Sequence, residues 1–287
     1  MMKLGTFTTF TPEYTFIEAC QLIKSLGFDG VQPRIVAAAS AAFDAAKPFN
    51  PWSNNKCGIS EEAFFADPKG VLAPATSIGL QISSVASYAG TADMPRAVSM
   101  VKACSRAGIR HVRIGVLPLP KETKFDVGAY LDRCRGAYRE LVGEAKKVGV
   151  RPCIELHAGG ICASASGVMA ILKGIPPEDV GVLFDPGNMI YEGWEAPQVA
   201  LNVLGPYLAE VHVKNARWVP NATENGITRW KCEAADLENG CVDWSAMVGH
   251  LKTHGFDGWL VEEGHTHDRA THQRLKMAVE LLRSLIA

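Results

Sequence analysis

One feature limits the fold more than any other. Along all 287 residues, short apolar bursts alternate with longer segments whose apolar residues recur at spacings of three and four. The bursts have strand length and the longer segments have helical period, so each pair reads as one βα unit. Eight strands are predicted: Lys3 to Thr8, Gly30 to Ile35, Gln81 to Ser87, His111 to Val116, Pro152 to His157, Gly181 to Asp185, Ala209 to Lys214 and Gly258 to Glu263. Helices are predicted between them, among them Thr11 to Leu26, Pro95 to Ala107, Val127 to Val148 and Trp244 to His254. Several are followed by a glycine (Gly27, Gly108, Gly149, Gly255) where a left-handed cap is expected. The phrase SLGFDGV at 25–31 returns as THGFDGW at 253–259, so the same helix-to-strand turn is used twice.

Eight such units, with no GxGxxG after the first strand, predict a closed (β/α)8 TIM barrel in preference to a doubly wound nucleotide-binding sheet. The length suits one barrel domain over residues 1–287. Two segments, 36–79 and 216–242, exceed an ordinary connection. Both follow strands, which places them on the C-terminal face where barrel enzymes bind substrates. They carry Trp52, Trp218 and Trp230, so a partly closed pocket with aromatic walls is expected.

Composition narrows the partners. Lys and Arg number 29 against 30 Asp and Glu, without a basic cluster of the kind that binds phosphate backbones, so nucleic acid is not expected. The start, MMKLGTFTTF, lacks a basic region followed by a long apolar run, and no stretch is apolar enough to span a membrane. A cytoplasmic protein without membrane contact is expected. Its eight cysteines form no CxxC pair and read as free thiols.

The chemistry lies in how the late strands end. CIELH ends with Glu155 and His157, LFDPGN brings Asp185, EVHVKN carries His212 and LVEEGH carries Glu262 and Glu263. Neighbouring parallel strands lie about 4.8 Å apart and point the same way, so these groups converge at one mouth. Like charges 4 Å apart repel by about 4 kcal/mol even at an effective dielectric of 20, so three gathered carboxylates call for a cation. Oxygen ligands with one imidazole suit Mn²⁺, Mg²⁺ or Co²⁺, with Zn²⁺ as a further option. Side chains alternate along a strand, so Glu262 and Glu263 cannot both face the axis, and the apolar pair before them does not decide which does. Asp243 precedes a helix and reads as its N-cap.

At these residues the sequence resembles the xylose isomerase-like sugar isomerase and epimerase superfamily, which includes ketose 3-epimerases, hydroxypyruvate isomerase, inosose dehydratase and, more distantly, endonuclease IV. The resemblance spans the chain and is sharpest over 149–264, in IELH, FDPGN, HVKNAR, GCVDW and GFDGWLVEE. It implies one divalent metal ion held by Glu155, Asp185, His212 and Glu263, with Glu262 as the fallback. It also implies that His157 and Arg217 contact substrate oxygens. Asn188 stands where the family commonly has histidine, and Asn215 where it commonly has aspartate. These losses weigh against the three-zinc chemistry of DNA repair.

The expected chemistry is proton transfer beside a carbonyl, through a metal-stabilised enediolate of a sugar or cyclitol. Glu155 and Glu263 approach from different strands as the acid–base pair, giving an epimerase if both act and an isomerase if one does. Lys214 holds substrate hydroxyls or pairs with a carboxylate, and Asn188 and Trp52 complete the substrate pocket. A dehydratase acting on a keto-polyol is the alternative reaction, and a non-catalytic sugar-binding barrel the alternative class. A small sugar or polyol is the expected partner, preferably unphosphorylated, and the long segments offer surfaces for a homo-oligomer.

Overall fold

The computed structural model describes residues 1–264, 266 and 269–287. Its centre is a closed parallel barrel with helices outside, as the alternation requires. The barrel strands are β1 (Lys3–Phe7), β2 (Gly30–Gln32, resuming as Arg34–Val36), β3 (Gln81–Ile82, resuming as Val85–Gly90), β4 (His111–Gly115), β5 (Arg151–Glu155), β6 (Gly181–Phe184), β7 (Leu208–Val213) and β8 (Trp259–Glu262). β8 closes on β1 with Lys3 opposite Trp259 and Thr6 opposite Glu262.

The second and third strands, each expected as one run, are both broken. Pro33 has no N–H to give, so β2 is interrupted there. The ladder still bridges the gap, because the Ser83 and Ala86 amides donate to the Val31 and Pro33 carbonyls at 3.0 and 3.1 Å.

The helices start and stop where their capping chemistry dictates. Thr15 and Glu18 form a reciprocal capping box, so the first helix begins at Phe16, later than the expected Thr11. Asp93 accepts from the Arg96 amide to open the helix Met94–Ala107, and Gly108 closes it at φ 74°. Asp243 caps the helix Trp244–Thr253 by accepting from the Ala246 amide at 2.9 Å, as its position before the apolar run predicted.

Apolar burial is divided unequally. The large core lies between sheet and helices, with Tyr130, Tyr138, Phe64, Met100 and Leu141 fully buried. Inside the barrel the buried apolar cluster is small: Phe7, Phe10, Ala86 and Val261, with Trp259 against them. The lumen also holds buried polar groups, Gln32, Glu155, Asp185, Glu210 and His212 among them, and that is where the site lies.

The segment after β7 forms an antiparallel hairpin, Asn215–Glu224 paired with Ile227–Ala235. Its turn is Asn225–Gly226, both at positive φ (52° and 77°), as a tight hairpin of this twist needs. The Asn-Gly signal was present in the sequence, but the segment reads there simply as a long connection. Among the described residues no helix is long and apolar enough to cross a membrane.

Candidate metal centre

The four strand-end groups meet. One ligand atom from each of Glu155, Asp185, His212 and Glu263 can be chosen so that all lie within 4.8 Å of one another. Donors held about 2.0–2.2 Å from a shared ion lie about 3–4.4 Å apart, so the cluster is a few tenths of an ångström wider than such a shell and small side-chain shifts would close it around an ion. His212 Nδ1 is 3.0 Å from Glu155 Oε1, 3.1 Å from Glu263 Oε1 and 3.8 Å from Asp185 Oδ2.

Each group is aimed by its local structure. Asp185 follows β6, and one of its oxygens accepts the Asn188 amide at 2.8 Å, capping the short helix Pro186–Glu192. Its other oxygen is left for Lys214 Nζ at 2.6 Å and the Asn188 side-chain amide at 2.7 Å. Asp185 is thus both cap and cluster member. Glu263 follows β8, with its amide bonded to the Val213 carbonyl at 2.9 Å.

Its neighbour Glu262 faces outward, where Thr6 Oγ1 donates to it at 2.6 Å and Arg274 of the last helix pairs with it. The fold therefore turns Glu263 into the cluster and sends Glu262 to the helix layer.

Cations brace the acidic group. Arg113, in the middle of β4, pairs with Glu155 Oε2 at 2.6 Å and lies over the Tyr88 ring at 4.8 Å. Lys214 also reaches Glu263 Oε2, at 3.2 Å, so the ion-pair reading of this lysine matches its geometry. Burial pushes the Glu155 carboxyl upward, but Arg113, His212 and Lys214 outweigh it and hold it well below the ordinary range. Burial likewise opposes a proton on His212, yet Glu263, Asp185, Glu155 and Glu210 prevail and raise its proton affinity well above normal.

The cluster opens into a cavity of about 580 Å³ lined by Glu155, His157, Asn188, Lys214, Glu263 and Trp52. Tyr88, Leu117, Leu119 and Ile161 also line it. His157 Nδ1 faces the Ala158 carbonyl at 2.7 Å, and Trp52 packs edge-on against Phe10 at 5.5 Å.

Three residues expected at the pocket lie elsewhere. Arg217 is on the exposed hairpin, paired with Glu233 at 3.1 Å, and is not among the cavity-lining residues. Trp218 donates to the Ile190 carbonyl and lines a separate cavity with Trp194 and Cys241. Trp230 is 58% exposed, so Trp52 alone of the three expected tryptophans lines the cavity. Arg217, Trp218 and Trp230 all lie on the largely exposed hairpin, none of whose residues lines the cavity.

Sequence reasoning missed Arg113 and Glu210. Both lie on barrel strands at positions that share a face with the cluster residues, Glu210 two before His212 and Arg113 opposite Cys153, two before Glu155. The period-two pattern could have found them.

With this geometry in place, the chain can be set beside known proteins. No curated protein sequence matches it. Among solved structures it is similar to the 3-keto-D-glucoside 4-epimerase YcjR from E. coli in its apo form, at 15% identity and TM-score 0.70, covering 99% of this chain and 100% of that one. It is similar to a D-psicose 3-epimerase from Clostridium cellulolyticum H10 with D-tagatose, at 15% identity and TM-score 0.69, covering 99% of each. A third is the IolI protein with a bound zinc atom, at 14% identity and TM-score 0.71, covering 99% of this chain and 98% of that one. The profile of one family, described as Xylose isomerase-like TIM barrel, matches residues 20–285, and the chain belongs to that family.

Proposed function

We propose that this protein is a divalent-metal-dependent sugar or cyclitol epimerase or isomerase that moves a proton on a carbon beside a carbonyl. The observation that carries the reading is the convergence of Glu155, Asp185, His212 and Glu263 on one another, with Glu155 and Glu263 also lining the cavity. These four would hold the ion. When bound, it would draw electron density from the substrate carbonyl and make the neighbouring C–H acidic. Two of the solved neighbours are epimerases by name, and a third holds zinc, in keeping with this chemistry.

The protein's own groups supply the proton traffic. Glu155 and Glu263 both line the cavity and come from different strands, so one can take the proton and the other return it. Arg113 keeps Glu155 ionised and able to accept. His157 and Asn188 offer polar contacts to substrate hydroxyls, while Trp52 gives a face for a sugar ring.

The cavity also bears on substrate charge. Its lysine and arginine, Lys214 and Arg113, are both committed to carboxylates. Gly159, the nearest glycine turn, gives its amide to Glu192 at 2.7 Å, a carboxylate where a phosphate cradle would leave it free. An uncharged sugar fits these facts better than a sugar phosphate.

The test is incubation of Mn²⁺-loaded protein with a panel of ketoses, keto-glycosides and inososes in D₂O. Deuterium appearing at an inverted carbon is the expected result. A new enone absorbance would reassign the protein as a dehydratase, and no exchange into any keto-polyol would overturn the reading.

A further inference from the structure

The cluster explains three of the buried carboxylates in the barrel and leaves a fourth. Glu210 is 1% exposed, two residues before His212 on the same inward face of β7. Its Oε1 accepts from Gln32 Nε2 at 2.5 Å and Ser84 Oγ at 2.9 Å, and faces His212 Nε2 at 3.3 Å. Its Oε2 has no hydrogen-bond partner among the described residues. A buried carboxylate satisfied on one oxygen is costly, and a barrel filled by side chains has no packing need for it.

We propose that Glu210 is a positioning residue that commits His212 Nδ1 to the metal, an inference that rests on the metal-dependent reading above. A neutral imidazole carries one N–H, and the nitrogen that binds a metal must be the other one. An ionised Glu210 can only accept, so it draws the proton to Nε2. The Nδ1 lone pair is then left facing Glu155, Asp185 and Glu263. Gln32 Nε2 also lies 3.1 Å from His212 Nε2, but its two hydrogens are committed to Glu210 and to Ser84 Oγ, so Glu210 is the acceptor left for the imidazole N–H.

Charge balance supports the same assignment. Glu155, Asp185, Glu210 and Glu263 are matched by Arg113, Lys214 and one doubly charged ion when His212 is neutral. Without Glu210 the same inventory would be left positive.

The test is isothermal titration of Mn²⁺ and Zn²⁺ into metal-free wild type, Glu210→Gln and Glu210→Ala, with thermal unfolding of each metal-free protein. Loss of such an outer carboxylate should weaken metal binding about 10–100-fold. In Glu210→Gln the metal-free protein should be as stable as wild type or more so, because a half-satisfied buried charge is removed. Nitrogen-15 spectra of the Zn²⁺-loaded wild type should show the His212 proton on Nε2. Unchanged affinity with a lower melting temperature would make Glu210 merely structural and overturn the proposal. A wild type that binds no divalent ion would instead overturn the reading beneath it.

Discussion

The barrel lumen holds a strand histidine at each end, and the two have opposite surroundings. His212, near the C-terminal mouth, is enclosed by carboxylates that raise its proton affinity well above normal despite burial. His111 opens β4 at the other end, directly across the ladder from Arg151. Burial, then Arg151 and Arg110, push its pKa down to about 4. The residue type is the same and the preferred protonation state is reversed. In a parallel barrel every strand delivers its C-terminal end to one mouth, so acids written at strand ends accumulate there and nowhere else. The base sets an imidazole among arginines, whereas the mouth gathers carboxylates around one.

The sharpest way to break this contrast is to remove a carboxylate from the mouth. Glu155→Gln and Glu263→Gln should each lower solvent proton exchange by about 10²–10⁴-fold, the range for a general acid or base. NMR in D₂O measures it, and two variants with wild-type rates would leave the mouth without a catalytic part.

A second test asks whether the charge awaits a metal. Mn²⁺ at about 100 times its dissociation constant should stabilise the wild type by about 2.7 kcal/mol. That appears as a rise in Tm of about 5 °C or more. Asp185→Asn should lose both this rise and about one bound equivalent in elemental analysis.

The base can be perturbed without touching the mouth. A Cβ on Gly30 would stand 2.4 Å from the Gln81 carbonyl and 2.6 Å from the Trp259 ring. Gly30→Ala should therefore cost about 2–3 kcal/mol in denaturant unfolding, with metal stoichiometry unchanged. A neutral result would mean that the base is loosely packed.

The smallest expected effect is a pH slope. Between pH 4 and the ordinary histidine value of 6.5, the folded state holds fewer protons on His111 than the unfolded chain does. Its contribution is complete above the upper value and is lost as pH falls through the lower one, about 2 kcal/mol after allowing for partial exposure. His111→Gln should lack this loss, so its stability should fall less steeply with acid than the wild type's.

Much of this contrast is legible in the amino-acid order. The alternation of strand and helix periods announces the barrel, and Glu155, Asp185 and His212 stand at strand ends where topology alone brings them together. Glu262 and Glu263 are harder. Both follow an apolar pair, so neither periodicity nor burial separates them; the family resemblance favours Glu263, and the pairing of Glu262 with Thr6 and Arg274 shows which one turns outward. Arg113 escapes because an arginine in a strand looks like an exposed residue until the barrel closes around it. The hairpin misleads in the other direction, since tryptophans on a long segment after a strand read as pocket walls whichever way the segment projects.

What the sequence by itself determined is the set of things that depend on local pattern: eight βα units, their capping residues, and acids placed at the ends of neighbouring strands. The tertiary structure alone decided which side chains face inward at the mouth, that Glu210, Gln32 and Ser84 stand behind His212, and that Arg217 lies outside the cavity. The physical reason is that backbone periodicity is written residue by residue. The sign and size of an electrostatic environment are sums over groups far apart in the chain, and they exist only once the barrel has closed.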